Sequence, residues 1–356
     1  MLYVGLDVHQ SSTAVCVLEA EGSEREHRNV KGHPSKAVEW LRNLGEPFQV
    51  CYEASCGYGW LHDQLSPIAA RVVVAHPAQL RLIFRSKRKN DRVDAQKLAK
   101  LLFLGEVPAV HVPAASTRAW RSLVEYRQRI VGERTRGKNG LRAVFRTHGV
   151  QTLRGSRLWS DRGLETIENL ELPTTVAALE RDQLIDDIRH HSRKIKRVEK
   201  ALQEAAERHP GVMLLRTVPG VGIRTAEAFV AYVDDPSRFG NIRSIGCYLG
   251  LVPRQDSSGR VNRLGGISKD GPGTLRKLLV EAAWQGVLRS PTIRAFHERM
   301  KHGQTDRKKK ALVATAHYLS RVMLAMLKTG EIWRESVLPE PGTDVGTSST
   351  ISAAQA

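Results

Sequence analysis

Arg85-Ser86-Lys87-Arg88-Lys89-Asn90-Asp91-Arg92-Val93-Asp94-Ala95-Gln96-Lys97-Leu98-Ala99-Lys100 sets two aspartates one helical turn apart in a cationic run, since residues 81–100 hold eight Lys or Arg and two acids. Apolar residues then fall at Ala95, Leu98, Ala99 and Leu102, the i, i+3, i+4, i+7 spacing of a helix with one buried face. Asp91 and Asp94 therefore occupy its first turn, on neighbouring sides of one face. Two readings stand side by side. The pair caps the helix and answers its dipole, or it marks a place where phosphate and a hard divalent cation are held together. The second reading needs further carboxylates from elsewhere in the chain.

The residues upstream supply them. Leu2 to Val8 and Thr13 to Leu18 are β-rich runs joined by Gln10-Ser11-Ser12, which predicts a hairpin with Asp7 near the end of its first strand. A third β segment follows near Glu24–Val30, then a helix from Ser35 to about Leu44 on the face of Val38, Leu41 and Leu44. The next strand, Phe48-Gln49-Val50-Cys51-Tyr52, runs into Glu53, a second acid at a strand end. A helix around Trp60–Leu65 and a buried strand Arg71–Ala75 complete the order ββ(β)αβαβα. A ribonuclease-H-like sheet gives this order and gathers carboxylates from separated positions around Mg²⁺, where two metals serve phosphodiester chemistry. Each acid also has a plain local explanation, such as turn capping for Asp7.

The chain of 356 residues has room for two or three domains. Its 55 basic against 37 acidic side chains, +18 net, point to a polyanionic partner, nucleic acid before an anionic membrane surface. No apolar run reaches transmembrane length, and the N-terminal residues lead into a strand without a signal-peptide layout, so a cytoplasmic location is expected. Cys16, Cys51, Cys56 and Cys247 lack metal-ligand spacing and read as reduced and structural.

From about Thr117 to His148 one long basic helix or a helix pair is expected, with nine Lys or Arg against two Glu from Arg118 to Arg146 inclusive. Trp120, Leu123, Tyr126, Ile130 and Leu141 form its apolar stripe. Arg121, Arg127, Arg134, Arg136, Lys138 and Arg142 there, with Lys87, Arg88, Lys89 and Arg92 earlier, are the candidate contacts to a nucleic-acid backbone. The segment Val150–Pro173 reads as irregular. Leu184, Ile188, His191, Ile195, Val198, Leu202 and Ala205 step by 4 and 3 alternately, a heptad seam that suits an ordinary packed helix or a coiled coil between protomers.

Val218-Pro219-Gly220-Val221-Gly222 lies between two apolar helical patterns, as in a helix-hairpin-helix, where Gly220 and Gly222 allow a tight turn and leave amide groups free for a phosphate. Gly265-Gly266-Ile267-Ser268-Lys269-Asp270-Gly271 crowds glycines and a serine before a helix starting near Thr274. Ser268 reads as a loop or cap serine, or, beside Lys269 with Arg263 and Arg276 near in sequence, as a nucleophile toward phosphorus. Apolar-faced helices are expected over Leu275–Leu288 and Lys310–Leu327, and a disordered tail from Glu335, beyond which no Lys or Arg occurs.

Taken in order, Gly5-Leu6-Asp7-Val8-His9, Tyr52-Glu53-Ala54-Ser55, Lys89-Asn90-Asp91-Arg92-Val93-Asp94-Ala95, Val218-Pro219-Gly220-Val221-Gly222 and Gly266-Ile267-Ser268-Lys269-Asp270-Gly271 resemble the IS-one-ten family of insertion-sequence transposases, the bridge-RNA-guided serine recombinases. The resemblance runs from residue 5 to 271, with small departures at Asn90 and Arg92. It implies a RuvC-like N-terminal domain whose four acids, here Asp7, Glu53, Asp91 and Asp94, bind Mg²⁺ (or Mn²⁺). It implies a C-terminal transposase domain with Ser268 as the catalytic serine that attacks DNA. It further implies a noncoding guide (bridge) RNA pairing with donor and target DNA, and a tetramer in which the acids of one protomer complete the site around another's serine. The heptad seam would suit such assembly.

The expected organisation is thus an α/β RuvC-like metal-binding domain over 1–108, a basic helical and coiled-coil region over 109–208, a mainly α serine transposase domain over 209–335, and a tail over 336–356. The expected function is cutting and rejoining of donor and target DNA through a phosphoserine intermediate. The alternatives are a metal-dependent junction nuclease that uses water, and a nucleic-acid-binding scaffold without catalysis.

Overall fold

Strand β1 (Leu2–Val8) is the axis of the first part of the chain. It pairs antiparallel with β2 (Ser12–Leu18), which pairs antiparallel with β3 (Glu24–Lys31). After α1 (Ser35–Arg42) the chain returns as β4 (Phe48–Glu53), parallel to β1 in a register that sets Leu6 against Tyr52. Helix α2 (Tyr58–Leu65) leads to β5 (Arg71–Ala75), parallel to β4, and completes a five-stranded sheet in the order β3-β2-β1-β4-β5. Described in this computed structural model are residues 1–55, 57–83, 90–151, 155–258 and 261–335. The expected tail and the cations Lys87, Arg88 and Lys89 lie outside the described residues.

Alternation along β1 divides its side chains between two layers. Leu2, Val4 and Leu6 join Val50, Tyr52, Val38, Leu41 and Leu61 in a core on one face. Tyr3 and Gly5 look to the other face, where α3 (Pro77–Ile83) and α4 (Asp91–Leu104) lie. At Gly5 a Cβ would land on the Ala95 carbonyl and the Ala99 amide of α4, so the helix backbone rests directly on the strand. Buried Ala95 and Ala99 complete this close contact.

The remaining helices are α5 (Ala115–Thr147), α6 (Asp161–Glu168), α7 (Thr175–Glu207), α8 (Pro210–Leu215), α9 (Ile223–Val233), α10 (Ser244–Tyr248), α11 (Gly273–Arg289), α12 (Pro291–Lys301) and α13 (Lys308–Thr329). The chain divides into two compact units, Met1–Arg118 and Ala119–Ala356. In the second, α5 is one continuous 33-residue helix that runs antiparallel to α7. Arg127 bonds Glu199 at 2.8 Å, His191 stands 3.2 Å from Glu133, and Gly137 and Gly140 lie against Ile188 and Leu184. The heptad seam therefore meets α5 of its own chain. Ile188, Ile195 and Leu202 are buried there, and His191 is a polar seam position answered by a carboxylate.

The stretch expected to be irregular, Val150–Pro173, instead contains a short 3-10 turn (Arg157–Trp159) and α6, capped by Ser160, whose hydroxyl accepts from Gly163 N. Leu158, Leu164 and Ile167 close over Leu141, Phe145, Ile185 and Ile188. This segment is the lid of the helical hairpin, and its few apolar residues are too widely spaced to show a period in sequence.

Helix α9, with every residue from Thr225 to Val233 buried, is the centre of the largest core, wrapped by α8, α11 and α13. Between α10 and α11 an unexpected ribbon, β6 (Pro253–Ser258) with β7 (Val261–Ile267), projects as an antiparallel pair. All six β6 residues are exposed, so β6 lacks the alternation that burial of one face imposes. Cys16 and Cys51 are free and buried, and Cys247 is free and exposed; Cys56 lies outside the described residues. Among the described residues no helix is long and apolar enough to cross a membrane.

Candidate functional site

Three elements of the first unit converge on one edge of the sheet. Asp7 stands next to the end of β1, and Glu53 ends β4 one residue past the Leu6–Tyr52 pair. Parallel register therefore places them side by side on the face that carries α4, on adjacent strands ~4.8 Å apart. Because Gly5 admits α4 to the surface of β1, the first turn of that helix ends above Asp7. Asn90 fixes the start of the helix, since its side chain accepts from Arg92 N at 3.1 Å. Capping is thus done by Asn90, and Asp91 and Asp94 are not needed for it.

Asp7, His9 and Asp91 offer ligand atoms that all lie within 4.8 Å of one another. His9 Nε2 is 3.3 Å from Asp7 Oδ2 and 3.7 Å from Asp91 Oδ1. The Asp7 oxygen is buried without a well-aligned hydrogen bond. Burial raises the Asp7 pKa against the pull of His9, and the charges of Asp91 and Asp94 push it further up. Asp94 is held by Lys97 at 3.0 Å and, with Glu53, lies outside the tight group. A carboxylate-rich set with a buried, unsatisfied oxygen fits a hard divalent cation. His9 was not among the residues expected at the site. The signal was available, because His9 follows Asp7 by two along an extended strand and so shares its side.

The second unit holds Ser268 at the foot of β7. Its amide donates to the Val252 carbonyl at 2.8 Å, and the Lys269 amide donates to the Gly250 carbonyl at 3.2 Å. Arg276 Nη1 donates to the carbonyls of both Leu249 and Asp270 at 2.7 Å, and Arg254 Nη2 to the Ser268 carbonyl at 3.3 Å. The half-buried Ser268 hydroxyl accepts from the Asp270 amide at 3.4 Å. Lys269 has a left-handed backbone, φ 62°, and Gly271, φ 73°, sits where a Cβ would meet the Tyr248 carbonyl. The loop is therefore set by main-chain bonds and two guanidinium groups, which leaves a serine oxygen beside fixed positive charge.

The expected backbone-binding cations separate into two groups. Arg121 donates to the Ala231 and Tyr232 carbonyls at the end of α9, and Arg127 to Glu199, so both are structural ties rather than open phosphate contacts. Lys138 and Arg142 cluster at the hairpin's far end, 4.8 and 4.9 Å from the Trp159 ring, with Arg134 and exposed Arg136 nearby in sequence. Burial and the neighbouring charges of Arg134 and Arg142 lower the Lys138 pKa, so an anion there would relieve the crowding. Arg92 reaches Glu24 at 3.3 Å yet stays largely exposed, and Arg263 and Lys269 are exposed. Gly220, φ 90°, is needed because α11 passes over it: a Cβ would strike Gly286 N and Ala282 O. That packing, rather than a phosphate cradle, accounts for Gly220. Gly222 faces open space and its carbonyl receives the Ala226 amide at the start of α9.

Comparison with known proteins bears on this pattern directly. Residues 212–298 match the family model "Transposase IS116/IS110/IS902 family", and residues 4–149 match the model DEDD_Tnp_IS110, described as "Transposase". A Sinorhizobium fredii relative, "Putative transposase y4qE", is 30% identical over 79% of this chain and 71% of its own. The chain belongs to the IS110 family of transposases. A Pseudomonas aeruginosa relative, "Probable family 20 transposase", is 30% identical over 69% of this chain and 74% of its own, and the Coxiella burnetii transposase for insertion sequence element IS1111A is 30% identical over 55% and 54%. As an IS110-family transposase the protein cleaves and transfers DNA. The matched regions contain the four acids in one case and Ser268 in the other, and the Asp-Glu-Asp-Asp designation of the first goes with a divalent metal.

Proposed function

We infer that this IS110-family transposase cuts and rejoins donor and target DNA through a phosphoserine intermediate, and that its first unit is a RuvC-like domain. The observation that carries the reading of the first unit is the buried, unsatisfied Asp7 oxygen beside Asp91 and His9, on a sheet of order β3-β2-β1-β4-β5. Asp7, Glu53, Asp91 and Asp94 would hold Mg²⁺ or Mn²⁺, which when bound supplies charge neutralisation at a scissile phosphate. Asp7 and Asp91 would offer it oxygen ligands from a strand and a helix that cannot move apart without losing the Gly5 contact. His9, 3.3 Å from Asp7 Oδ2, helps to orient that carboxylate.

Ser268 is the nucleophile in this reading. Its hydroxyl loses its proton as Oγ bonds phosphorus, the bond to a deoxyribose oxygen breaks, and that oxygen takes up a proton. The ester conserves the bond energy for rejoining. Arg254 and Arg276 keep the loop in place and put positive charge near the developing oxyanion. The cations at the hairpin's end, exposed Arg136 and Arg142 with half-buried Arg134 and Lys138, suit a nucleic-acid backbone, and a noncoding guide RNA would choose the sites by base pairing. Assembly as a tetramer rests on the family resemblance alone, because the heptad seam is taken up by α5.

The experiment is a search for a covalent protein–DNA adduct on denaturing gels, using protein expressed with its element's flanking DNA. Wild type forms an adduct only with a divalent metal present, Ser268→Ala forms none yet binds DNA, and Asp7→Asn neither cuts nor forms one. Metal-dependent cutting without any adduct would instead establish a water-using junction nuclease, and strand transfer by Ser268→Ala would remove the serine from the mechanism.

A further inference from the structure

On the opposite face of the sheet from the acids, but at the same end of β1, a cleft of about 490 Å³ opens between the β1–β2 turn, the loop before α1 and the start of α2. His9, Gln10, His33, Ser55, Tyr58 and Trp60 line it, and the His33 and Trp60 rings are in contact. His9 thus belongs both to this cleft and to the acid group.

The cleft is rigidly framed. The Trp60 indole, 41% exposed although it is a large apolar group, meets the His33 ring edge-on at 5.2 Å between centroids. His33 is itself fixed, its Nδ1 accepting from the Ser35 amide at 3.2 Å and lying 3.0 Å from the Ser35 hydroxyl. The turn into α2 is tied by the Tyr52 hydroxyl, which donates to the Tyr58 carbonyl at 2.7 Å. The exposed aromatic faces are therefore present before any ligand arrives. Flat, polar-edged aromatic groups suit such faces, and amide, hydroxyl and imidazole groups stand around the rim to meet their edges.

We propose that this cleft receives an unpaired nucleobase of the DNA strand whose phosphate lies at the acids, stacked on Trp60. The proposal rests on the reading of Asp7, Glu53, Asp91 and Asp94 as the place where the scissile phosphate is held. Two observations favour a base over another flat ligand: the cleft and the acid group share His9, and the chain carries a net charge of +18; ring faces also accept any base, as in proteins that bind single strands by stacking. An extruded base next to the reacting phosphate would also fix the strand's register during cutting.

The test is photocrosslinking of the full chain to single-stranded DNA carrying 5-iododeoxyuridine, followed by tryptic mapping. Trp60 and Tyr58 fall in one peptide, Asn43–Arg71, which contains no internal Lys or Arg. The crosslink is expected on that peptide in wild type, reduced at least tenfold in Trp60→Ala and His33→Ala, and largely kept in Trp60→Phe. A parallel RNA strand carrying 5-iodouridine separates the two sources of an unpaired base, and crosslinking of this peptide by RNA alone would overturn the assignment to DNA. Asp7→Asn keeps the two readings apart. If it crosslinks at Asn43–Arg71 but no longer cleaves, both stand; if it crosslinks and still cleaves, the acid reading falls and with it the placing beside the scissile phosphate. Absence of the crosslink from that peptide in wild type, with cleavage intact, overturns the cleft alone.

Discussion

Asp7 and Asp91 are brought together by a strand and a helix whose main task is packing, whereas Ser268 sits in a loop with little packing of its own, held by main-chain bonds and guanidinium groups. In the first unit the chemistry is a by-product of the core: once α4 lies on Gly5, its first turn has nowhere to be but over Asp7. In the second unit the core ends at α10 and α11, and the serine is carried on the segment that crosses between them. The contrast teaches where each site is vulnerable. A change that barely alters the serine loop's surroundings should cost activity without stability, while a change in the packing that holds α4 on β1 should lower the two together.

The largest effect is expected from Gly5→Ala. A methyl group there collides with the backbone of α4, which cannot give way as a side chain tip could. A loss of about 3 kcal/mol in unfolding free energy is expected, with metal-dependent cleavage lost in parallel. Denaturation curves within ~0.5 kcal/mol of wild type would show that α4 does not rest on β1 and would remove the link between packing and chemistry. Next comes Arg276→Lys. Lysine has donors enough for both the Leu249 and Asp270 carbonyls, but its side chain is shorter than that of arginine and cannot bring the ammonium to the place between them where Arg276 Nη1 lies 2.7 Å from each. Cleavage should fall on the order of 100-fold while the melting temperature stays within ~2 °C, because misplacing a nucleophile is costly and loosening an exposed loop is not. If stability and activity dropped together, the loop would be part of the core after all.

A smaller effect separates charge from geometry at the acid edge. Excess Mg²⁺ or Mn²⁺ should raise the unfolding free energy of wild type, by about 2.7 kcal/mol at a hundred times the Kd. Asp7→Asn should show no such response. Without metal the same variant should melt slightly later than wild type, since it removes a partly buried carboxylate that is also repelled by the charges of Asp91 and Asp94. Differential scanning calorimetry with and without metal checks both halves, and a metal response surviving in Asp7→Asn would shift the site to other residues.

Much of the first unit was legible because its strands alternate and its helices repeat: the positions of β1, β2, β4, β5 and α4 follow from side chains that must face a core. The acids were legible for the same reason, as carboxylates at the ends of apolar strands are conspicuous. What was hidden lacked a period. All six residues of β6 are exposed, so no alternation marks Pro253–Ser258 as a strand. The 157–168 segment buries only Leu158, Leu164 and Ile167 among its large apolar residues, too few to mark a helix. The partners of Arg121 and Arg127 were hidden for a different reason. Charge content tells how many cations a helix carries, but Glu199 is 72 residues from Arg127 and the Ala231 carbonyl 110 from Arg121, and only the fold reveals which cations are already engaged.

The second unit has its own raised carboxylate, and comparing it with Asp7 gives the finest test. Glu227, 1% exposed on α9, faces Arg224 at 3.0 Å, with Arg127 and Glu199 beyond; burial lifts its pKa from 4.5 to about 7 in spite of both arginines. Folded protein therefore keeps a proton that the unfolded chain gives up, and stability falls as pH rises from about 4.5 to about 7. Below that window Glu227 is neutral in both states and its burial costs nothing electrostatic. Glu227→Gln cannot ionise, so relative to wild type it should gain about 3 kcal/mol on going from pH 4 to pH 8, after the constant cost of the altered hydrogen bonding is subtracted. The sign is the same as at Asp7, but the response to metal differs. A cation at the acid edge favours the ionised Asp7 and offsets its penalty, whereas Glu227 is enclosed with an arginine already in place and should titrate identically with or without Mg²⁺. Urea denaturation of wild type and Glu227→Gln across that pH range, in both conditions, measures this. A metal-sensitive Glu227 would mean that the metal response does not belong to the acids around Asp7 alone, and the contrast between the two carboxylates would fall.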